Sequence, residues 1–253
     1  MEINLNYLKN KLKNQTVIYK KVTTSTNVDA ANHLEQYPNE SGIIIAGQQT
    51  AGKGTHQRDF YSPTSGIYFS IFLPINGKKP FYPGRVTANM GVIVAKSIKK
   101  VFNQNIQLKW VNDVYLHNKK VGGILCEVVT NLQNQIIGLV LGCGLNITTA
   151  EFPVGMFRVG GQITNQASTQ QVTNLILNIV NDIQKKHQTI QFDAIDKKYL
   201  DLMLLNNKKV VIEQFDQKIK GRVQGVTDNN ELIIINGIRT QIISVGRVID
   251  WQD

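Results

Sequence analysis

Cysteine is nearly missing from this chain. Its two cysteines in 253 residues, Cys126 and Cys143, each sit in an apolar run, with no C-x-x-C spacing and no histidine beside them. That excludes a disulfide scaffold and a cysteine-ligated metal site, and leaves both as small core residues. No stretch of about eighteen apolar residues occurs, and the opening MEINLNYLKNKLK has no apolar signal segment. The expectation is a soluble, cytoplasmic protein with no membrane partner. Repeats and low-complexity tracts are lacking too, as is any Ser-His-Asp or Cys-His arrangement. Acidic side chains are in short supply: 18 Asp plus Glu against 28 Lys plus Arg leave a net charge of +10. Such a balance favours acidic partners. The positive residues are scattered as pairs such as Lys99-Lys100 and Lys197-Lys198, the pattern of a solvated surface and not of a nucleic-acid arm.

What is present reads as a mixed α/β body followed by hairpins. Short helices are expected over Leu5 to Leu12 and Val28 to Gln36, and long ones over Arg85 to Phe102 and Val172 to His187. A further helix is expected over Asp193 to Leu205. Strands are expected at Val17 to Lys21, Gly42 to Gly47, Gly66 to Leu73, Gln107 to Trp110, Val114 to Leu116, Val121 to Thr130 and Ile136 to Ile147. Beyond Asn206 come four short strands, Val210 to Glu213, Lys218 to Val226, Glu231 to Ile235 and Thr240 to Val245. Asn236-Gly237 marks a two-residue hairpin turn among them. The hairpins point to a small β-barrel after the mixed body.

The segment Gln49 to Pro63, QTAGKGTHQRDFYSP, carries the chemistry. It is too poor in aliphatic residues to form core. Its glycines let the backbone approach an anion, and Lys53 and Arg58 supply opposite charge, so it is read as a loop over a phosphate or carboxylate. Gly47 to Lys53 imitates a phosphate-binding loop, but Gly54 stands where the magnesium-ligating Ser or Thr is needed, and no helix can follow. Four further segments set polar groups at strand or helix ends. Ser25-Thr26-Asn27 either caps a helix, the simpler reading, or reads a polar ligand head. Asn112-Asp113 makes a turn, or Asp113 holds magnesium or a protein lysine. Lys120 precedes Gly122-Gly123, a weak strand unless a ligand comes close. Gly142 to Asn146 ends an apolar strand with spaced glycines and an amide.

These five motifs, in this order, resemble those of biotin–protein ligases: S-T-N, a Q-T-A-G loop ending in S-P, K-W-x-N-D, K-x-x-G-I-L-x-E and G-x-G-L-N. The likeness spans roughly residues 20–250. It implies an α+β fold: a mixed β-sheet with helices, the class II aminoacyl-tRNA synthetase-like core, over residues 1–205, and a small SH3-like β-barrel over 206–253. The implied activity joins biotin to ATP as biotinyl-5′-AMP, with Mg2+, and transfers biotin to a lysine of a biotin carboxyl carrier protein or domain. By the same resemblance Lys120 bridges the biotin carboxylate and the α-phosphate. Ser25, Thr26, Asn27 and Gln49 read the biotin head, Gly123 lies against it, and Gly52, Lys53, Gly54 and Thr55 close over it. Lys53, Arg58, Phe60, Asn112, Lys120 and Asn146 hold ATP, and Asp113 helps the carrier lysine lose its proton. No protein metal-ligand set is implied.

The loop departs from the family's G-R-G-R-x-G-R pattern. Lys53, Thr55 and Gln57 stand for Arg, Arg and Gly, and Val111 stands where proline is usual. Lysine lacks the bidentate fork and threonine carries no charge, so weaker ligand retention or easier loss of the adenylate is expected. Only 24 residues precede Ser25, too few for a helix-turn-helix, so no DNA binding is expected. Two alternatives stay open: a ligase for another small acid such as lipoate, and a basic nucleic-acid-binding or adaptor protein. Oligomeric state is left open, a homodimer included.

Overall fold

The structure is a computed structural model that describes every residue except 56–57, 76–81, 150, 155–158, 187–194, 216 and 253. A seven-stranded sheet forms the body, in the order β1-β2-β3-β7-β6-β5-β4. Its strands are β1 (Thr16–Lys20), β2 (Gly42–Ala46), β3 (Ile67–Pro74), β4 (Gln107–Lys109), β5 (Asp113–Leu116), β6 (Lys119–Thr130) and β7 (Ile136–Leu145). Only β1 and β2 run parallel; the rest are antiparallel, so the sheet is mixed.

Helices cover both faces, which explains why β2 and β3 are continuous apolar runs and do not alternate with polar residues. In β2 and β3 the residues Ile43, Ile45, Phe69, Ile71 and Leu73 enter a large core with α3 (Pro83–Phe102) and α4 (Thr169–Lys185). Ile44 and Phe72 point the other way, to a smaller core with Ala30 and Leu34 of α2 (Thr26–Gln36). Helix α4 buries Val172, Leu175, Ile176, Ile179, Val180 and Ile183 completely, each worth about 1.5–3 kcal/mol. Its start is fixed by a capping box between Ser168 and Gln171. The short α1 (Leu5–Lys11) packs on α4 and on β1.

The remaining strands form a second, antiparallel sheet in the order β11-β10-β9-β8-β12. It contains β8 (Lys209–Gln214), β9 (Gln217–Val226), β10 (Leu232–Asn236), β11 (Arg239–Ile243) and β12 (Arg247–Gln252). Val210, Ile212, Val223, Leu232, Ile234 and Val248 join the core that underlies α3 and α4, so the two sheets share one apolar interior.

Three expectations need correction. The helix expected over Asp193 to Leu205 is described only as α5 (Lys198–Leu202); residues 193 and 194 lie outside the described residues. It stops because Met203 bridges to Leu108 and the Leu204 amide donates to the Leu108 carbonyl. Strand β12 was not expected, since a register shift between Val248 and Asp250 breaks its period. In the hairpin, Asn236 pairs with Arg239, so the turn is Gly237-Ile238. Gly237, at φ +60°, takes the first central place that a type II′ turn reserves for glycine. The end of the helix expected at His187 also lies outside the described residues.

Candidate active site

The polar segments of the sequence converge on one cavity of about 260 Å³ at the N-terminal half of β6 and the C-terminal end of β7. Its floor is β6 and β7, where Gly123 pairs with Gly144. Its walls are the start of α2, the loop after β2, and the turn between β4 and β5.

Lys120 reaches this floor through a bulge. Across β5 and β6, Asp113 faces Gly123 and Val114 faces Gly122, but Tyr115 faces Lys120. Residues three apart on a regular strand point to opposite faces. The extra residue, Val121, puts Lys120 and Gly123 on the same face and turns its own side chain into the core. The Lys120 ammonium then meets the Asp113 carboxylate at 2.6 Å. The Lys120 backbone amide donates to the Val159 carbonyl and its carbonyl accepts from the Gly161 amide, while the Asn146 side-chain amide reaches the Lys120 carbonyl at 3.5 Å and the Gly161 carbonyl at 3.1 Å.

The start of α2 is built for something other than capping. Ser25 stands at the N-cap with extended backbone, yet its hydroxyl makes no capping bond and lines the cavity. The cap reading of the Ser25 side chain is therefore wrong. Thr26 donates from both its amide and its hydroxyl to the Gln49 side-chain oxygen, at 2.8 and 3.1 Å. The Gln49 amide in turn donates to Ser62. Asn27 is fixed at both ends: Ser70 lies 2.5 Å from its oxygen and its nitrogen donates to Glu127 at 2.6 Å. All three helix-start residues are at least 92% buried (Ser25 4%, Thr26 3% and Asn27 8% exposed), so a network this polar is held in place and aimed.

The loop folds back on itself. The Lys53 and Asp59 backbones form a bridge, and Gly54 donates to the Arg58 carbonyl. The Arg58 guanidinium donates to the Thr55 carbonyl at 3.2 Å and to its hydroxyl at 3.0 Å. Among the described residues no α-helix follows the glycines; residues 58–63 are irregular apart from that bridge, in keeping with the exclusion of a phosphate-binding loop. Phe60 lies across the glycine floor: a Cβ on Gly144 would come within 2.5 Å of its ring, and one on Gly123 within 3.2 Å. Lys53, Gly54, Thr55, Arg58, Asn112, Asp113 and Asn146 all line the cavity with it. Asn112 also donates to the Ile124 carbonyl. Gly52 does not line it; it packs behind the wall, against Gln49, Ser62 and the Phe60 carbonyl, where no side chain fits. Gln57 lies outside the described residues.

Ser70 and Glu127 were missed as site residues, although Ser70 is the one polar residue inside the apolar run GIYFSIFL. Asp59 and Tyr61, which lie inside the loop motif but were given no role, also line the cavity, as do Phe152 and Gly160, which no motif marked. Among the described residues no three His, Cys, Asp or Glu gather as a metal site. Cys143 lines the cavity, and burial pushes its thiol well above the usual range, so it is inert. No helix among the described residues is long and apolar enough to cross a membrane.

Comparison with known proteins fits this arrangement. The bifunctional ligase/repressor BirA of Bacillus spizizenii is 26% identical over 190 residues, covering 72% of this chain and 56% of that protein. The biotin–[acetyl-CoA-carboxylase] ligase of Mycobacterium tuberculosis is 26% identical and covers 90% of this chain and 86% of its own. The chain spans about half the length of the bifunctional relatives it matches, at 56%, 43% and 46%. A solved biotin protein ligase from Aquifex aeolicus, in complex with biotin and ATP, superposes with a TM-score of 0.73. It covers 91% of this chain and 96% of its own at 23% identity, and shows the fold. The model of the biotin/lipoate A/B protein ligase family matches residues 19–146, which hold every cavity motif from Ser25 to Asn146, and the chain belongs to that family.

Proposed function

We propose that this protein is a biotin–protein ligase. The observation that carries the reading is the Lys120 ammonium on a glycine floor, faced by a buried hydrogen-bonding network and a basic loop. In the first step one biotin carboxylate oxygen attacks the α-phosphorus of ATP. The P–O bond to the β-phosphate breaks, giving biotinyl-5′-AMP and pyrophosphate. Two anions must meet, so Lys120 leaves Asp113 to bridge carboxylate and α-phosphate, while Lys53 and Arg58 neutralise the phosphates. Each well-placed donor is worth about 3 kcal/mol in such a step. Mg2+ would supply further neutralisation. Asp59 and Asp113 are the carboxylates that line the cavity and would hold such an ion together with the phosphates.

In the second step the amine of a carrier lysine attacks the acyl carbon, an amide forms and AMP leaves. Asp113, released from Lys120, helps that lysine lose its proton. Ser25, Thr26, Asn27 and Gln49 read the biotin head, with Gly123 beneath it. Gly54 and Thr55 close over it, and Gly52 shapes the loop from behind. Phe60, Asn112 and Asn146 take the adenosine side. The partner is a biotin carboxyl carrier domain, and the setting is the cytoplasm, where ATP is supplied. The reading divides the chain into a class II synthetase-like catalytic domain, 1–205, and an SH3-like domain, 206–253.

The test is biotin-dependent exchange of labelled pyrophosphate into ATP, with wild type and Lys120→Ala. Exchange that needs biotin and collapses in the variant supports the reading. Exchange with lipoate and none with biotin overturns it in favour of the other branch of the family.

A further inference from the structure

Lys109 is a lysine where the fold has little reason to keep one. It ends β4 with 9% of its surface exposed, outside the cavity lining. Its ammonium donates to the Val248 carbonyl at 3.0 Å and lies 4.3 Å over the Trp251 ring, both on β12 of the second sheet. Tyr115 flanks it at 5.8 Å. Within β4 and β5, Lys109 is the residue paired across from Asp113. The next residue repeats the connection: the Trp110 indole donates at 2.7 Å to the Asn230 carbonyl, and the Asn230 amide donates to Gly84 at the start of α3. The turn bearing Asn112 and Asp113 is thus fastened at two successive residues, one to β12 of the second sheet and the other to the turn between β9 and β10.

We propose that Lys109 is a positioning residue for adenylation, and that through it the second sheet sets the placement of Asn112 and Asp113 at the catalytic cavity. The reaction named here rests on the ligase reading above; the clamp itself does not.

Stability alone would not favour this lysine. Burial pulls its ammonium down to about 8, against a favourable pull from Asp113 and with Lys120, Arg247 and Arg58 adding repulsion. A methionine of similar length would fill the slot without that penalty. What the ammonium adds is direction: a hydrogen bond to one carbonyl and a stacked contact with one ring, which a methionine cannot reproduce.

The two tryptophans of the chain, Trp110 and Trp251, both sit in the clamp, so intrinsic fluorescence reports it without any substrate. The experiment compares full-length wild type, Lys109→Met and Lys109→Arg. Each is assayed by pyrophosphate exchange, thermal unfolding near neutral pH, and tryptophan emission against pH. The expected result is a loss of exchange kcat of about tenfold or more in Lys109→Met with biotin KM within about twofold. Its unfolding midpoint should be no lower than wild type, and Lys109→Arg should recover part of the rate. Wild-type emission should shift with a midpoint near pH 8, and Lys109→Met should lose that shift. Full kcat in Lys109→Met, or a rate loss matched by lost stability, overturns the proposal. If no acid supports exchange in wild type, the ligase reading fails, and the emission titration alone decides the clamp: the same shift in Lys109→Met overturns it. Should Lys109→Met not fold, Trp251→Leu removes the clamp from the other sheet and is held to the same outcomes, with Trp110 as reporter.

Discussion

Lys120 and Asp113 hold each other at 2.6 Å, and the bulge at Val121 is what brings them to one face. On the proposed ligase reading, substrate has to separate the two groups. If Lys120 bridges the two anions as proposed, replacing it with Ala should lower exchange by about 10²–10³-fold. Asp113→Asn leaves the Lys120 ammonium in place and removes the carboxylate proposed to help the carrier lysine. Exchange should stay within about tenfold of wild type while biotin transfer to a carrier domain falls much further. Equal losses in both half-reactions would show that Asp113 acts through Lys120.

That pair also marks how much of the site was legible in the sequence. Lys120, Gly123 and Asp113 announce themselves as a charge, a glycine inside a strand and an Asn-Asp turn. Their meeting depends on a register shift, which no local pattern encodes, because alternation would send Lys120 and Gly123 to opposite faces. Strands β2 and β3 were readable because both their faces are buried and their apolar runs are almost unbroken. Strand β12 was not readable, because a bulge splits R-V-I-D-W-Q. The helix start misled for a physical reason: the same Ser-Thr-Asn residues suit a cap or a ligand. The missing cap bond and the Gln49, Ser70 and Glu127 partners speak against the cap.

The Asn27 amide gives a second test. Ser70 and Glu127 fix which end is oxygen, and a Cβ at Gly142 would overlap that oxygen. Glu127→Gln can donate as well as accept, so the amide loses its fixed orientation and a charge-assisted bond worth about 1.5–3 kcal/mol. Biotin affinity measured by calorimetry should weaken by about tenfold or more. Gly142→Ala should weaken it further and lower the unfolding midpoint. Gly144→Ala meets only the movable Phe60 ring. It should leave stability near wild type and change ATP binding instead.

Lys109 ties stability to pH in a definite direction. Its folded value, about 8, lies below its ordinary 10.5. Between those values the unfolded chain binds the proton and the folded one does not, so stability rises with pH across that window. Below it both states are protonated and the whole penalty is present, at most about 3 kcal/mol. Denaturant unfolding from pH 7 to 10 should therefore show wild type gaining on Lys109→Met as pH rises. A constant difference would mean that the ammonium is not desolvated.

Thr55 and Arg58 hold each other within the loop. In this structure the Arg58 guanidinium spends two donors on Thr55, so part of the loop's charge is turned inward. Arginine at position 55 would remove that acceptor hydroxyl, repel Arg58 towards the cavity and add a second fork for phosphate or carboxylate. Beside Lys53, two guanidinium groups would then face the bound anions where one is now half engaged. Thr55→Arg should slow release of biotinyl-5′-AMP by about tenfold, followed by stopped-flow fluorescence or by trapping the released adenylate. The loop's bridge between Lys53 and Asp59 is backbone and survives the change, so exchange should not fall. Unchanged release would mean that closure is governed by Phe60 on the glycine floor and not by the charge of residue 55.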